Sequence, residues 1–243
     1  MFRWLRTKFW QISRGVGWNI RSKNLPASLL LRDDTTRIWV LDATRRLIFL
    51  YLANDIVSTV IVQFCPDAPF FDQPLPNQVF IAWTKAIRSY YGVELSYYGA
   101  AIPCVLLGYG TPSSWPPISG SFRREAYTVR KMWGTCWHQM MRRPCSEAGR
   151  IVTKICGFRK GSFASRYSQI WVAFAVSAAS HHMGATLGCF EDGGYWQAVY
   201  FLVQPVGIMG EDFVMWVGRK MGVKESGKSS LFFFFIFKAV QYN

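Results

Sequence analysis

Acidic residues are scarce in this chain of 243 residues: 14 Asp and Glu stand against 28 Lys and Arg, a formal charge of +14. Histidine is scarcer still, at three positions, His138, His181 and His182. The six cysteines, Cys65, Cys104, Cys136, Cys145, Cys156 and Cys189, include no Cys-x-x-Cys pair. With so few histidines and no ligand spacing among the thiols, no metal site is expected. The glycine patterns of dinucleotide and phosphate loops are both missing, which removes nucleotide binding by those routes. No internal repeat is present. The N-terminal FRWLRTKFWQI lacks an uninterrupted apolar centre, which excludes a secretory signal peptide. It reads either as an interfacial helix, with Trp and Phe at headgroup depth, or as a disordered basic leader.

What is abundant conflicts with a soluble basic protein. Hydrophobic residues make up 51% of the chain and aromatics 17%, too many for a disordered basic tail. The conflict resolves once the charge is located. Residues 1–46 hold ten Lys/Arg and three acids; residues 121–160 hold ten Lys/Arg and two acids, Glu125 and Glu147. These two blocks carry all the net charge, and the apolar runs lie between and after them.

The first apolar run is Leu47–Phe64, with Asp55 its one charge. Val79–Gly110 is interrupted by Lys85 and Arg88, so an interfacial segment to Tyr91 is expected, then a short crossing over Leu95–Tyr109. Tyr167–Phe190 has no acid and no Lys or Arg. Tyr195–Val217 is broken by Glu211-Asp212, with a kink expected at Gln204-Pro205, and Leu231–Val240 closes the chain. Runs of this length predict an all-α, multi-pass transmembrane bundle with interfacial amphipathic helices. The alternative is a large soluble α-protein with buried core helices. Placing residues 1–46 in the cytosol leaves segment 65–78, which has no Lys or Arg, outside. It leaves the basic 111–166 and Arg219, Lys220, Lys224 and Lys228 inside, as the positive-inside rule requires. The expected organisation is one membrane-embedded domain over 1–243: basic segment 1–46, first spans 47–110, basic cytosolic loop 111–166, later spans 167–243. Most cysteines then fall in membrane or cytosolic segments, so free thiols are expected. Nucleic-acid binding would use the same positive charges, but the apolar runs argue against it.

Ionisable groups inside a span are costly and mark candidate sites. His181-His182 lies about 14 residues into its run, and a neutral imidazole suits a general base. Only one of the pair can face a given cavity, and Ser177 shares the face of His181. A packing histidine bonded to neighbouring backbone is the other reading. Asp55 is a candidate, or else an ion-pair partner or a surface group on a tilted helix. Glu211 and Asp212 are candidates, or else solvated or ion-paired. His138 lies between Trp133 and Trp137 with Arg130, Lys131, Arg142 and Arg143 nearby. That basic aromatic segment could hold lipid headgroups or the phosphates of an anionic cofactor, or it could be a solvated interfacial face.

The string PSSWPPISGSFRREAYTVRKMWGTCWHQMMR (112–142) resembles the most characteristic segment of the wax-synthase-like branch of the membrane-bound O-acyltransferases. The matching elements are Trp115-Pro116-Pro117, Tyr127-Thr128-Val129-Arg130, Trp133-Gly134 and Trp137-His138-Gln139. RGVGWNIRSKNLP (14–26) looks like the family's RGIGW element. Phe174, Ser177 and His181 look like its F..SG..H element, and VGIMGEDFV (206–214) looks like a later element with an acidic pair. Met132, Ala178 and Ile118 depart mildly from the usual residues. Family members are generally longer, so a chain shortened at both ends is expected.

The resemblance implies an acyl-CoA:alcohol acyltransferase of the fungal type that acetylates terpenoid or meroterpenoid secondary metabolites, in the endoplasmic reticulum membrane. Its partners would be acyl-CoA (acetyl-CoA foremost), a lipophilic alcohol and the lipid bilayer, with no metal. His181 would be the general base and His138 would assist. Trp133, Trp137, Gln139, Arg130 and Arg142 would lie on the acyl-CoA side, with Ser177, Asp55, Glu211 and Asp212 supporting. A non-enzymatic multispan protein, transporter or inactive family remnant, and a long-chain wax-ester acyltransferase are the alternatives.

Overall fold

The computed structural model describes residues 36–64, 70–188 and 193–222, and every long element among them is a helix. Helix α1 spans Thr36–Phe64 and contains neither glycine nor proline; Pro66 lies just beyond it. Helix α2, Leu75–Leu106, has Pro74 as its N-cap and Pro76 in its first turn, where a missing N–H costs nothing. It ends on Gly108, whose φ of +72° allows Tyr109 N–H to reach back to the Cys104 carbonyl at 2.8 Å.

These two helices differ from the expected spans. α1 starts at Thr36, ahead of the apolar run at Leu47, so Arg37, Asp42, Arg45 and Arg46 are helical. Arg46 pairs at 3.1 Å with Glu94, a fully buried residue of α2. α2 is continuous, so there is no separate interfacial segment before a short crossing. Trp39, Ala43 and Leu50 of α1 pack on Tyr97, Tyr98, Ala101 and Val105 of α2.

The basic block is folded. A 3-10 turn (Pro112–Ser114) leads to short helices α3 (Phe122–Glu125) and α4 (Val129–Lys131), a π-helical turn (Met132–Cys136) and α5 (Arg142–Ile155). Trp115 and Ile118 insert into the α1–α2 core, and Tyr97 Oη donates to the Pro116 carbonyl at 2.6 Å. Helix α6, Phe163–Leu187, is capped by Ser162, whose hydroxyl accepts from Ser165 N–H. Helix α7, Gly193–Lys220, runs through Pro205. A second core joins Phe174 and Ala178 of α6 to Tyr200, Phe201 and Ile208 of α7. α5 crosses α6 closely at Gly149: a Cβ there would lie 2.9 Å from the Gln169 carbonyl oxygen.

α1 and α7 are long and apolar enough to cross a membrane. In α1 only Trp39, Ala43 and Leu50 are buried, while Ile48, Phe49, Leu52 and Ile56 are exposed. A core helix of a water-soluble protein would be covered; this surface calls for lipid or further protein. α6 has the length but not the apolarity, because Ser168, Gln169, Ser177, Ser180, His181, His182 and Thr186 interrupt it. The N-terminal aromatic segment, the RGVGW element, most of 218–230 and the Leu231–Val240 run lie outside the described residues. Cys136, Cys145 and Cys156 are free thiols, while Cys65 and Cys189 lie outside the described residues.

Candidate active site

The site begins with the π-helical turn. Trp137 N–H donates to the Met132 carbonyl at 2.8 Å, closing a ring one residue wider than an α-turn. Met132 and Cys136 are turned toward Ala86 of α2, and Trp133 toward α6 and α7. The Trp133 ring meets Trp137, Phe174, Tyr200 and Phe201 at centroid distances of 5.7–6.2 Å. Its indole N–H donates to Gln204 Oε1 at 3.0 Å, so an otherwise buried donor is satisfied from α7.

The WPP segment fixes the rest. Gly120 N–H donates to the Cys136 carbonyl and Gln139 N–H to the Ile118 carbonyl, at 2.9 and 2.8 Å. Only glycine allows that approach, since a Cβ on Gly120 would fall 2.4 Å from the Thr135 carbonyl oxygen. Gln139 is buried; its Nε2 donates to the Trp137 carbonyl at 2.6 Å and its Oε1 accepts from Arg142 at 3.2 Å.

Between this motif and the two long helices lies a cavity of about 300 Å³. α6 contributes Gln169, Ala173, Ser177 and His181, one residue per turn on one face. α7 contributes Phe201 and Ile208, and the motif side contributes Arg130, Trp133, Trp137, His138, Gln139 and Arg142. His181 stacks on Phe201 with ring centroids 4.1 Å apart and planes 18° from parallel. His138 lies beside Trp137, and its Nδ1 is sealed from solvent with no hydrogen-bond partner. Burial, reinforced by the neighbouring His181, pushes the His138 pKa down to about 4, so its imidazole is neutral at physiological pH. Burial also pushes the Cys145 thiol up to about 11, which keeps this cavity residue protonated and a poor nucleophile.

The two cavity arginines are held differently. Arg130 Nη2 donates to Asp212 Oδ2 at 2.5 Å, and the same oxygen accepts from Arg166 at 3.1 Å and Tyr167 Oη at 2.7 Å. Arg130 N–H also donates to Glu211 Oε2 at 3.4 Å. Arg142 donates to the Gly134 carbonyl and to Gln139 and has no carboxylate partner among the described residues. Burial pushes its pKa down, the signature of a cation that an anionic ligand would stabilise.

Eight of the residues singled out in the sequence thus line one cavity: His138, His181, Trp133, Trp137, Gln139, Arg130, Arg142 and Ser177. Glu211 and Asp212 stand behind Arg130, outside the lining. Asp55 is exposed on α1, away from the cavity. His182 is exposed and turned toward Gly194, where a Cβ would meet its Nδ1 at 2.9 Å. Sequence reasoning missed Gln169, Ala173, Cys145, Phe201 and Ile208. The four-residue spacing of Gln169, Ala173 and Ser177 before His181 could have revealed the first two; Phe201 and Ile208 carry no local signal.

The model of the membrane bound O-acyl transferase family matches residues 115–203. That stretch holds the WPP segment, the π-turn, the motif histidine and all of α6, hence every cavity residue but Ile208. Over that stretch the chain is similar to the membrane-bound O-acyltransferases. Among its relatives, the acetyltransferase ple2 of Rhodocybe pseudopiperita is 34% identical over 89% of this chain and 57% of its own length. The acetyltransferase sirH of Emericella nidulans is 30% identical over 92% of this chain and 53% of its own length. The O-Mevalon transferase macI of Penicillium terrestre is 30% identical over 93% of this chain and 55% of its own length. The chain therefore spans about half the length of the curated relatives it matches. No solved structure matches the chain.

Proposed function

We propose that the chain works as an acyl-CoA-dependent O-acyltransferase in a membrane. It transfers an acyl group, acetyl foremost, to a hydroxyl of a lipophilic terpenoid or meroterpenoid in a fungal secondary pathway. The observation that carries this reading is the convergence of His138, His181 and Arg142 on one cavity inside the family-matched stretch. The names of the acetyltransferase relatives favour acetyl as the acyl group, and that of the O-Mevalon transferase favours testing larger ones. The basic blocks and the exposed apolar helices support a multi-pass membrane protein with the 121–160 block on the cytosolic side, where acyl-CoA is found; this reading puts it in the endoplasmic reticulum.

In this mechanism His181 removes the proton from the acceptor hydroxyl as its oxygen attacks the thioester carbonyl carbon. The carbonyl π electrons move to oxygen, then return as the carbon–sulfur bond breaks. The departing CoA thiolate takes the proton back from the His181 imidazolium, leaving ester, free CoA and neutral enzyme. His138, being neutral, keeps one N–H to offer to the developing oxyanion. Arg142, and Arg130 beside it, provide positive charge toward the phosphorylated donor. Trp133 and Trp137 wall the reacting centre from water.

The test is transfer of radiolabelled acetyl from acetyl-CoA to a hydroxylated terpenoid by microsomes expressing the protein. His181→Ala should reduce transfer by about 10²–10⁴-fold at equal protein level. Transfer at the unmodified rate refutes the general-base assignment. Failure of the unmodified protein with donors from acetyl-CoA to long-chain acyl-CoA refutes the enzymatic reading and favours a non-enzymatic family remnant.

A further inference from the structure

Phe201 lies on α7, outside every motif that drew attention in the sequence, yet its ring covers one face of His181. The two rings are 4.1 Å apart and 18° from parallel, the geometry of a π face presented to an imidazole plane. Phe201 is itself buried and held edge-on by Trp133 at 5.7 Å and Tyr200 at 5.1 Å. Trp133 is fixed in turn through Gln204. A chain of contacts therefore sets the plane of the His181 ring, leaving its edge for the cavity.

This stacking changes value during the reaction. In the ground state His181 is neutral and gains only ordinary ring contact. As it takes the acceptor proton it becomes an imidazolium, in a cavity lined by Arg130 and Arg142 as well as by aromatic and aliphatic side chains, with no carboxylate among the lining residues to balance the new charge. The ring face of Phe201 carries the negative end of its quadrupole and attracts that cation. An interaction stronger at the transition state than before it speeds the chemical step without tightening substrate binding.

We propose that Phe201 is a positioning residue that orients His181 and stabilises its protonated form by a cation–π contact as acyl transfer proceeds. The proposal rests on His181 as the general base.

The test replaces Phe201 in the full chain with Leu, which keeps apolar bulk and removes the π face, and with Trp, whose face is the stronger donor. Phe201→Leu should lower kcat by about 2- to 30-fold, with KM for acetyl-CoA and for the acceptor unchanged. Phe201→Trp, which keeps a π face, should lower kcat less than Phe201→Leu does. Mono-, di- and trifluorophenylalanine at position 201 preserve shape while weakening the quadrupole, so log kcat should fall steadily with fluorine number. This series decides the matter if the Leu variant fails to fold. A flat fluorine series, or a Leu variant altered only in KM, overturns the proposal. His181→Ala run alongside separates the two failures. Loss of transfer in that variant with a flat Phe201 series removes only the cation–π role, whereas retained transfer removes the general base itself.

Discussion

Asp212→Asn tests how the cavity edge is held, because one carboxylate oxygen takes three donors from two other segments of the chain. Asp212 is 11% exposed, Arg130 35% and Arg166 53%. The asparagine keeps an acceptor for Tyr167, but the bond falls from charge-assisted to neutral strength, a loss of about 1 kcal/mol. The Arg166 pair is largely solvated and contributes ~0–1 kcal/mol. Arg130 suffers most: its Nε is already buried without a partner, and its guanidinium would lose the carboxylate it pairs with, at about 1 kcal/mol or slightly more. The total is roughly 2–3 kcal/mol, which for a chain of this size lowers Tm by about 5–10 °C. The assay is thermal unfolding of the protein in lipid nanodiscs, with double-mutant cycles against Arg130→Gln and Arg166→Gln. Coupling to Arg130 should exceed coupling to Arg166 by about 1 kcal/mol. An Asp212→Asn protein that melts within about 1 °C of the unmodified one, or equal couplings, refutes the assignment of Asp212 as the anchor of Arg130.

Two further outcomes follow from the geometry. Gly149→Ala drives a methyl into the Gln169 backbone, at 2.9 Å from its carbonyl oxygen and 3.0 Å from its Cα, and should cost about 1–3 kcal/mol in thermal unfolding; unchanged melting would mean that α5 and α6 separate freely. His138 has a folded pKa near 4, below the ordinary 6.5, so the native protein binds this proton at lower pH than the unfolded chain does. Stability should therefore fall as pH drops from about 6.5 toward 4. His138→Gln should flatten that part of the profile, and identical profiles for the two proteins would contradict the burial of His138.

Much of the site was legible because its residues sit close together in sequence or on one helix face. The motif from Trp133 to Arg142 spans ten residues, and Ser177 and His181 are one turn apart, so spacing groups each set, while the family resemblance joins the two. The partners that fix these residues come from far away: Phe201 on His181, Gln204 on Trp133, Asp212 on Arg130. Pairings over tens of residues leave no periodicity to read. The spans were misjudged for a related reason. Arg45-Arg46 reads as a boundary, but Arg46 pairs with Glu94 of α2, so α1 runs on through it. Lys85 and Arg88 did not break α2 because a helix tolerates charge wherever a face reaches solvent or a partner.

The Arg46–Glu94 contact, its carboxylate buried and its guanidinium 43% exposed, also bears on how the protein is made. Arg46 leaves the ribosome 48 residues before Glu94, whose buried carboxylate settles without a partner only at a substantial penalty. α1, apolar enough to cross by itself, therefore stands ready with a partner for Glu94 when α2 emerges. The pair favours a hairpin of the two helices, and the Tyr97-to-Pro116 bond fastens the WPP segment onto it. A chain that fails to bring α2 against α1 leaves Trp115 and Ile118 without the core into which they insert.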